Sequence, residues 1–300
     1  MTVRTYSSPE AFKQALDQRL RSAAKTGAGF ARKRQLLVFD RFLARIFAVF
    51  GDAAILKGGL VLELRIERAR TTKDVDLRMV GSPDSVLSNL QEAGRRDLGD
   101  FMSFEVGPDE DHPEIQVDGM QYDGLRFRAE CKLAGKLYGQ RFGVDVAFGD
   151  PILGEPSVVV ARDVLGFAGI APPALRLYPI ETHVAEKLHA YTLPRLRPNS
   201  RVKDLPDLAL LATAQTFDAA RLRAALEQTF HFRKTHALPA TLPEPLPAWG
   251  TPYAAMARED QLAWPTLDEV TTAARRFLDP VLAGDLDAAW EPESWRWRLQ

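Results

Sequence analysis

Two aspartates one residue apart, Asp74 and Asp76, lie in the stretch Thr71-Thr72-Lys73-Asp74-Val75-Asp76-Leu77. In a β-strand that spacing sets both carboxylates on one face, while Val75 and Leu77 turn to the other. Adjacent anions invite a divalent cation, and hard oxygen donors favour magnesium, with manganese as an alternative; magnesium usually leaves room for substrate phosphate oxygens. A third acid, Asp145, sits in Phe142-Gly143-Val144-Asp145-Val146-Ala147-Phe148, opposite an apolar face of Val144, Val146 and Phe148. A neighbouring strand could set it beside the pair. Three carboxylates suit a two-ion displacement at a triphosphate, in which one ion activates the attacking hydroxyl and the other steadies the leaving group. Each acid also has an ordinary use: a solvated strand end for the pair, a salt-bridged strand residue for Asp145.

Upstream, Leu56-Lys57-Gly58-Gly59 leads into a short helix. Backbone N–H groups at such a helix start lack intrahelical partners, and glycine lets a phosphate approach them; a plain strand-to-helix turn explains the same residues. Downstream, Ile180, Val184, Leu188 and Tyr191 form an apolar helical stripe with Lys187 on its edge. An inward-facing lysine there could reach a triphosphate as a point charge, or snorkel at the surface beside an acid. Asp204 as N-cap with Asp207 three positions on reads as a helix start, and both acids suit its positive end. Basic residues gather at Arg195, Arg197, Arg201 and Lys203, and again at Arg233 and Lys234 beside His231 and His236. They could grip an RNA backbone or form a solvated face.

The elements that would position these residues are legible from periodicity. Phe12, Leu16 and Leu20, then Leu36 to Phe50, repeat at helical spacing and predict two N-terminal helices. From residue 53 the pattern predicts a strand near Ile55, a helix over 59–66, a strand over 74–79 and a helix over 86–92. Strands over 101–106, 125–133 and 138–148 follow, the last two joined by a turn at Gly135-Lys136. After a proline-bearing stretch over 151–179 come helices over 180–191, 205–214 and 218–230, a proline-rich connecting loop over 239–252, and a last pair of helices beyond Pro265. The expectation is an α/β (α+β) fold with a mixed sheet, in two parts: a core with N-terminal helices over 1–175 and a helical C-terminal domain over 176–300. Trp290, Trp295 and Trp297 near the end are expected to dock onto the fold.

With 46% hydrophobic and 26% charged residues over 300 positions, the chain reads as globular. A formal net charge of -1 gives no global attraction to nucleic acid, so any RNA would be met locally. The single Cys131 excludes an internal disulfide, and the five histidines lack structural-zinc spacing. Neither a secretion signal nor a membrane span is readable, which makes the cytoplasm the expected address; oligomeric state is not readable from the sequence, and a monomer is the default expectation.

Four stretches together carry a family resemblance: Leu56-Lys57-Gly58-Gly59; Thr72-Lys73-Asp74-Val75-Asp76-Leu77; Val144-Asp145-Val146-Ala147-Phe148-Gly149-Asp150-Pro151; and Glu186-Lys187-Leu188-His189-Ala190 with Arg201-Val202-Lys203-Asp204-Leu205-Pro206-Asp207-Leu208. In their order and spacing the chain resembles the AbiEii/AbiGii-type toxins, nucleotidyltransferases of bacterial toxin–antitoxin and phage abortive infection systems. The resemblance implies a polymerase-beta-like nucleotidyltransferase core, a helical C-terminal region, magnesium, and a nucleoside triphosphate donor. Some relatives add pyrimidine nucleotides to the 3′ end of tRNA, which blocks aminoacylation and so inhibits translation and growth; a cognate antitoxin is commonly encoded alongside. It further implies Asp74, Asp76 and Asp145 as metal ligands and Lys57, Gly58, Gly59, Thr72 and Lys187 as nucleotide-binding. Lys187, Asp207 and Asp204 join the three metal ligands as catalytic, with the acid at Asp207, ahead of Asp204, reading base or ribose or orienting Lys187. Many nucleotidyltransferases have Gly-Ser where this chain has Gly58-Gly59, so a serine hydroxyl contact to phosphate is absent, and Thr71 or Thr72 could supply a hydroxyl instead. The interval from Gly59 to Asp74 is also long. Two rival readings stand beside this one: a metal-dependent nuclease built on Glu130-Cys131-Lys132 with Asp118 and Asp123 upstream, and a non-catalytic binding subunit that kept the fold.

Overall fold

A computed structural model describes residues 4–66, 72–111, 124–149, 151–194, 201–284 and 286–299. Helix α1 (Pro9–Ser22) starts where the Ser8 hydroxyl accepts the Ala11 amide and Pro9 opens the first turn, and α2 (Gly27–Phe50) starts on the Thr26 hydroxyl in the same way. Their apolar stripes, with Phe12, Leu16, Phe39, Phe42 and Ile46 excluded from solvent, cover one face of a sheet.

The sheet's elements are β1 (Ala54–Lys57), α3 (Gly58–Arg65), β2 (Val75–Met79), α4 (Val86–Arg95), β3 (Met102–Pro108), β4 (Gly124–Leu133), β5 (Lys136–Leu137), β6 (Phe142–Phe148), β7 (Ser157–Val160) and β8 (Ala174–Leu177). Its order is β3-β4-β6-β2-β1-β8-β7, with β5 paired to β4. β2 runs parallel to β6 and β1 parallel to β8, whereas β1–β2, β4–β6, β3–β4 and β7–β8 are antiparallel. Val75, Leu77 and Met79 of β2 and Val144 and Val146 of β6 fill the core under the N-terminal helices. By strand alternation the residues between them face the opposite side.

Two sequence expectations change here. The strand expected over 138–148 begins only at Phe142: Gly139 adopts a φ of 80°, and a Cβ there would lie 2.8 Å from the Gln35 side chain. Gln35 also accepts the Gln140 amide at 2.7 Å, so α2 pins the chain and breaks the strand. The stretch over 151–179 holds two strands, β7 and β8, because its prolines bound these segments without interrupting their hydrogen-bond ladder.

The C-terminal part comprises α5 (Ile180–Thr192), α6 (Asp204–Ala214), β9 (Phe217–Asp218), α7 (Ala219–Arg233), α8 (Gly250–Glu259), α9 (Leu267–Leu282), β10 (Ala288–Glu291) and β11 (Arg296–Leu299). These elements share their own apolar cluster, to which Leu62 of α3 also belongs. The loop expected through residue 252 ends earlier, since Gly250 to Pro252 form the first turn of α8, where proline is tolerated. Beyond Pro265 there is one helix, α9, begun by a Thr266–Glu269 capping box; a hairpin of β10 and β11 replaces the expected second helix. Alternating Trp290 and aromatic ring contacts favour the strand here: Trp290 is fully buried and donates to the Ala212 carbonyl, while Trp295 and Trp297 donate to Ala273 and Phe277 of α9. Among the described residues no helix is long and apolar enough to cross a membrane.

Candidate active site

Register assembles the site. Lys57 of β1 pairs with Asp76 of β2, Asp76 with Asp145 of β6, and Asp145 with Arg126 of β4, so four charged residues cross four strands in one row. All four lie on the face away from the apolar core. Asp74 precedes β2, is exposed, and is tied to the neighbouring strand by accepting the Gly143 amide at 3.2 Å.

Gly58 and Gly59 open α3, and Gly58 has a φ of 71°. A Cβ on Gly58 would lie 1.9 Å from an Asp76 carboxylate oxygen, so glycine is what admits Asp76 against the helix start. Burial, and then the negative charge of Asp145, pushes the Asp76 carboxyl up to about 6, while Lys187 and Lys57 pull it down. Two carboxylates that crowd each other in a desolvated place call for added positive charge. Asp145 meets that need through Arg126, whose Nε and a terminal nitrogen each donate to one carboxylate oxygen at 2.7 Å. That hydrogen bond raises the guanidinium's pKa further. With Asp145 held by Arg126 and Asp74 by Gly143, no three acid or imidazole side chains among the described residues are gathered closely enough to enclose a metal ion. The oxygen donors of Asp76, Asp145 and Asp74 and the excess negative charge at Asp76 nevertheless fit a hard divalent cation.

Lys187 approaches from α5. Its ammonium is 3.1 Å from Asp204 and 2.8 Å from Asp207, and both acids are fully buried. This changes the capping arrangement expected for Asp204. Lys203 occupies the N-cap and Asp204 is already the first residue of α6, with no side-chain cap bond there. The two carboxylates turn inward because the largely enclosed Lys187 ammonium holds them more strongly than neutral helix amides would. One turn before Lys187, His183 is buried, and burial together with the Lys187 charge keeps its imidazole well below the usual range, hence neutral. Thr72 is buried, and its backbone is clamped by Arg32, which donates to its carbonyl at 2.8 Å and is itself ion-paired to Glu63. Thr71 lies outside the described residues.

Sequence reasoning missed the partners of Lys57. Glu186 accepts from Lys57 at 3.0 Å, from the Tyr178 hydroxyl at 3.1 Å and from Arg233 at 3.1 Å. This knot ties β1 to α5 and α7 beside the acid row. Arg233 is therefore turned inward, its side chain only 8% exposed, and His236 is bonded to Thr192 and Thr235. Those two are corrected from an RNA-gripping surface to internal structure, whereas His231 and Lys234 are exposed. Arg201 lies 3.7 Å from Asp204, and Arg195 and Arg197 fall outside the described residues. Glu130 and Lys132 engage in surface ion pairs with Arg141 and Glu105; Asp118 and Asp123 lie outside the described residues.

A family model described as nucleotidyl transferase AbiEii toxin, type IV toxin–antitoxin system, matches residues 41–299. Among solved structures the chain is similar to MenT4, a nucleotidyltransferase toxin from Mycobacterium tuberculosis H37Rv, with 17% identity and a TM-score of 0.51 over 90% of this chain and 97% of that one. It is also similar to JHP933 from Helicobacter pylori, with 16% identity and a TM-score of 0.44 over 83% of this chain and 94% of that one. No curated protein sequence matches it.

Proposed function

Because the chain belongs to the AbiEii nucleotidyl transferase toxin family of type IV toxin–antitoxin systems, we propose that it transfers a nucleotide from a nucleoside triphosphate to an RNA acceptor, the 3′ end of tRNA, and so inhibits translation and growth. The observation that carries this reading is the alignment of Asp76 with Asp145 on one sheet face, with the Lys187 charge acting on Asp76 from the facing helix.

In this reading Asp74, Asp76 and Asp145 hold magnesium, or manganese in its place. The ion, when bound, neutralises triphosphate charge and makes the acceptor hydroxyl easier to deprotonate. The remaining work belongs to the chain's own groups. The free amides at the start of α3, opened by Gly58 and Gly59, meet phosphate oxygens. Lys187, oriented by Asp207 and Asp204, adds a fixed positive charge to the same phosphates. Lys57, held by Glu186, extends that charge along β1, and Thr72 lines the nucleotide side. Arg126 holds the Asp145 carboxylate in the row beside Asp76, where it would serve as a ligand to the ion. A cognate antitoxin encoded alongside, a cytoplasmic address and a monomeric state complete the proposal.

The experiment is incubation of the protein with each labelled nucleoside triphosphate, magnesium and total tRNA. Label at the 3′ end of tRNA, lost in Asp76→Ala, is the expected result. Absence of transfer with all four nucleotides, from protein that still arrests growth, overturns it.

A further inference from the structure

A cavity of about 820 Å³ lies apart from the acid row, between the end of α1, one face of α2, the last turn of α3 and the 159–167 segment. That volume falls within the range of about 300–1,000 Å³ that small-molecule sites occupy. Leu20, Leu37 and Phe167 are buried in its floor. Its charged groups are unbalanced. Lys33 and Arg162 make no hydrogen bond or ion pair among the described residues, and the Arg19 guanidinium is stacked 3.9 Å from the Phe167 ring centre. Arg65, also in the wall, donates to Ser157 and to the Tyr178 carbonyl; of the lining acids, Glu63 is taken by Arg32, while Asp163 accepts the Gly166 amide and keeps its charge. Asp40, also without a hydrogen bond among the described residues, has its carboxyl pushed up to about 7 by burial against the pull of Arg41 and Arg162, so it withholds much of its charge near neutrality.

Four basic residues against three acids, with Lys33 and Arg162 outside any ion pair among the described residues, above an apolar floor match a ligand with the opposite pattern. We propose that this cavity binds an amphipathic organic anion, an apolar chain or ring carrying a carboxylate or phosphate head, with Lys33 and Arg162 supplying the countercharge. The apolar body gains by leaving water, and the head gains from Lys33 and Arg162, neither of which is held in an ion pair among the described residues. Glu63 in its wall also accepts the Thr72 amide at 3.5 Å, which links the cavity to the chain just ahead of Asp74.

Titration of the full chain with 8-anilinonaphthalene-1-sulfonate, followed by fluorescence, tests the site without using activity. Saturable binding to one site is expected, displaced by decanoate and by decyl phosphate, with uncharged decanol about tenfold weaker or worse. The ratio of decanoate to decyl phosphate affinity tells which head the site prefers. The paired changes Lys33→Glu and Arg162→Glu should weaken the dye about tenfold or more; Leu36→Trp, which fills the cavity without altering charge, should do the same. Asp76→Asn should bind like the parent, which separates this site from nucleotidyl transfer. Unsaturable binding, displacement by decanol as strong as by decanoate, or indifference to both the charge reversals and Leu36→Trp in variants that melt like the parent overturns the proposal.

Discussion

Replacing Lys187 with methionine separates what this lysine does for the fold from what it does for the site. Its ammonium lies between two carboxylates, 3.1 Å from Asp204 and 2.8 Å from Asp207, both fully buried. Removing one partner of a buried ionic cluster strands the other charge, and such losses cost about 3–5 kcal/mol. For a chain of this size each kcal/mol lowers the melting temperature by about 2–4 °C, so Lys187→Met should melt roughly 10 °C below the parent. Adding Asp204→Asn and Asp207→Asn removes the stranded charges and should recover most of that loss. Nucleotide transfer should stay absent in both variants, because the phosphate charge is gone from each. The assay is thermal unfolding by circular dichroism alongside label transfer to tRNA. A single Lys187→Met variant that melts within about 2 °C of the parent would refute the buried-cluster reasoning; a triple variant that regains transfer would refute the phosphate role.

Three further outcomes follow from the same geometry. Gly58→Ala forces a Cβ into the Asp76 carboxylate and places alanine at a φ of 71°, which should cost about 1–2 kcal/mol from backbone strain alone and abolish transfer; melting and label transfer check it. The Asp76 carboxyl is raised from 3.8 to about 6. The folded protein therefore holds a proton there that the unfolded chain releases earlier, and metal-free stability should fall as pH rises from about 4 through 6. Asp76→Asn should remove that share of the slope, leaving the part due to Asp40; urea titrations across pH on the metal-free protein decide the point. Arg126→Gln frees Asp145 from a partly exposed ion pair, a class worth up to about 1 kcal/mol. The magnesium concentration that half-saturates transfer should then fall by a factor of up to about five, and an unchanged midpoint would show that Arg126 does not compete with the metal.

The acid row was legible because strand alternation has a period of two. Val75, Leu77, Val144 and Val146 had to face a core, which left Asp76 and Asp145 on the other side, and the β2–β6 register then brought them level. Lys187 was legible only in part, because a place on the edge of the Ile180–Leu188 stripe suits an inward lysine and a snorkelling surface one alike, and only the fold shows it turned to Asp204 and Asp207. Glu186, Arg126 and Arg233 were not. Their partners lie 129, 19 and 47 residues away in sequence, and nothing local distinguishes a glutamate that takes three donors from one in solvent. Asp204 misled because an acid at a helix start usually caps it, and only the fold shows a lysine from another helix outcompeting the amides. β7 and β8 escaped notice because Pro156, Pro173 and Pro179 make their neighbourhood read as loop, and the final hairpin because its tryptophans alternate over too few residues to separate strand from helix.

The most direct test of the site is a crystal structure grown with manganese and a non-hydrolysable nucleoside triphosphate. An anomalous peak within ligand distance of the Asp76 and Asp145 carboxylates is expected, with the triphosphate between it and the Lys187 ammonium and Arg126 displaced from Asp145. A bound triphosphate whose metal contacts neither carboxylate, with Lys187 still turned wholly to Asp204 and Asp207, would contradict it.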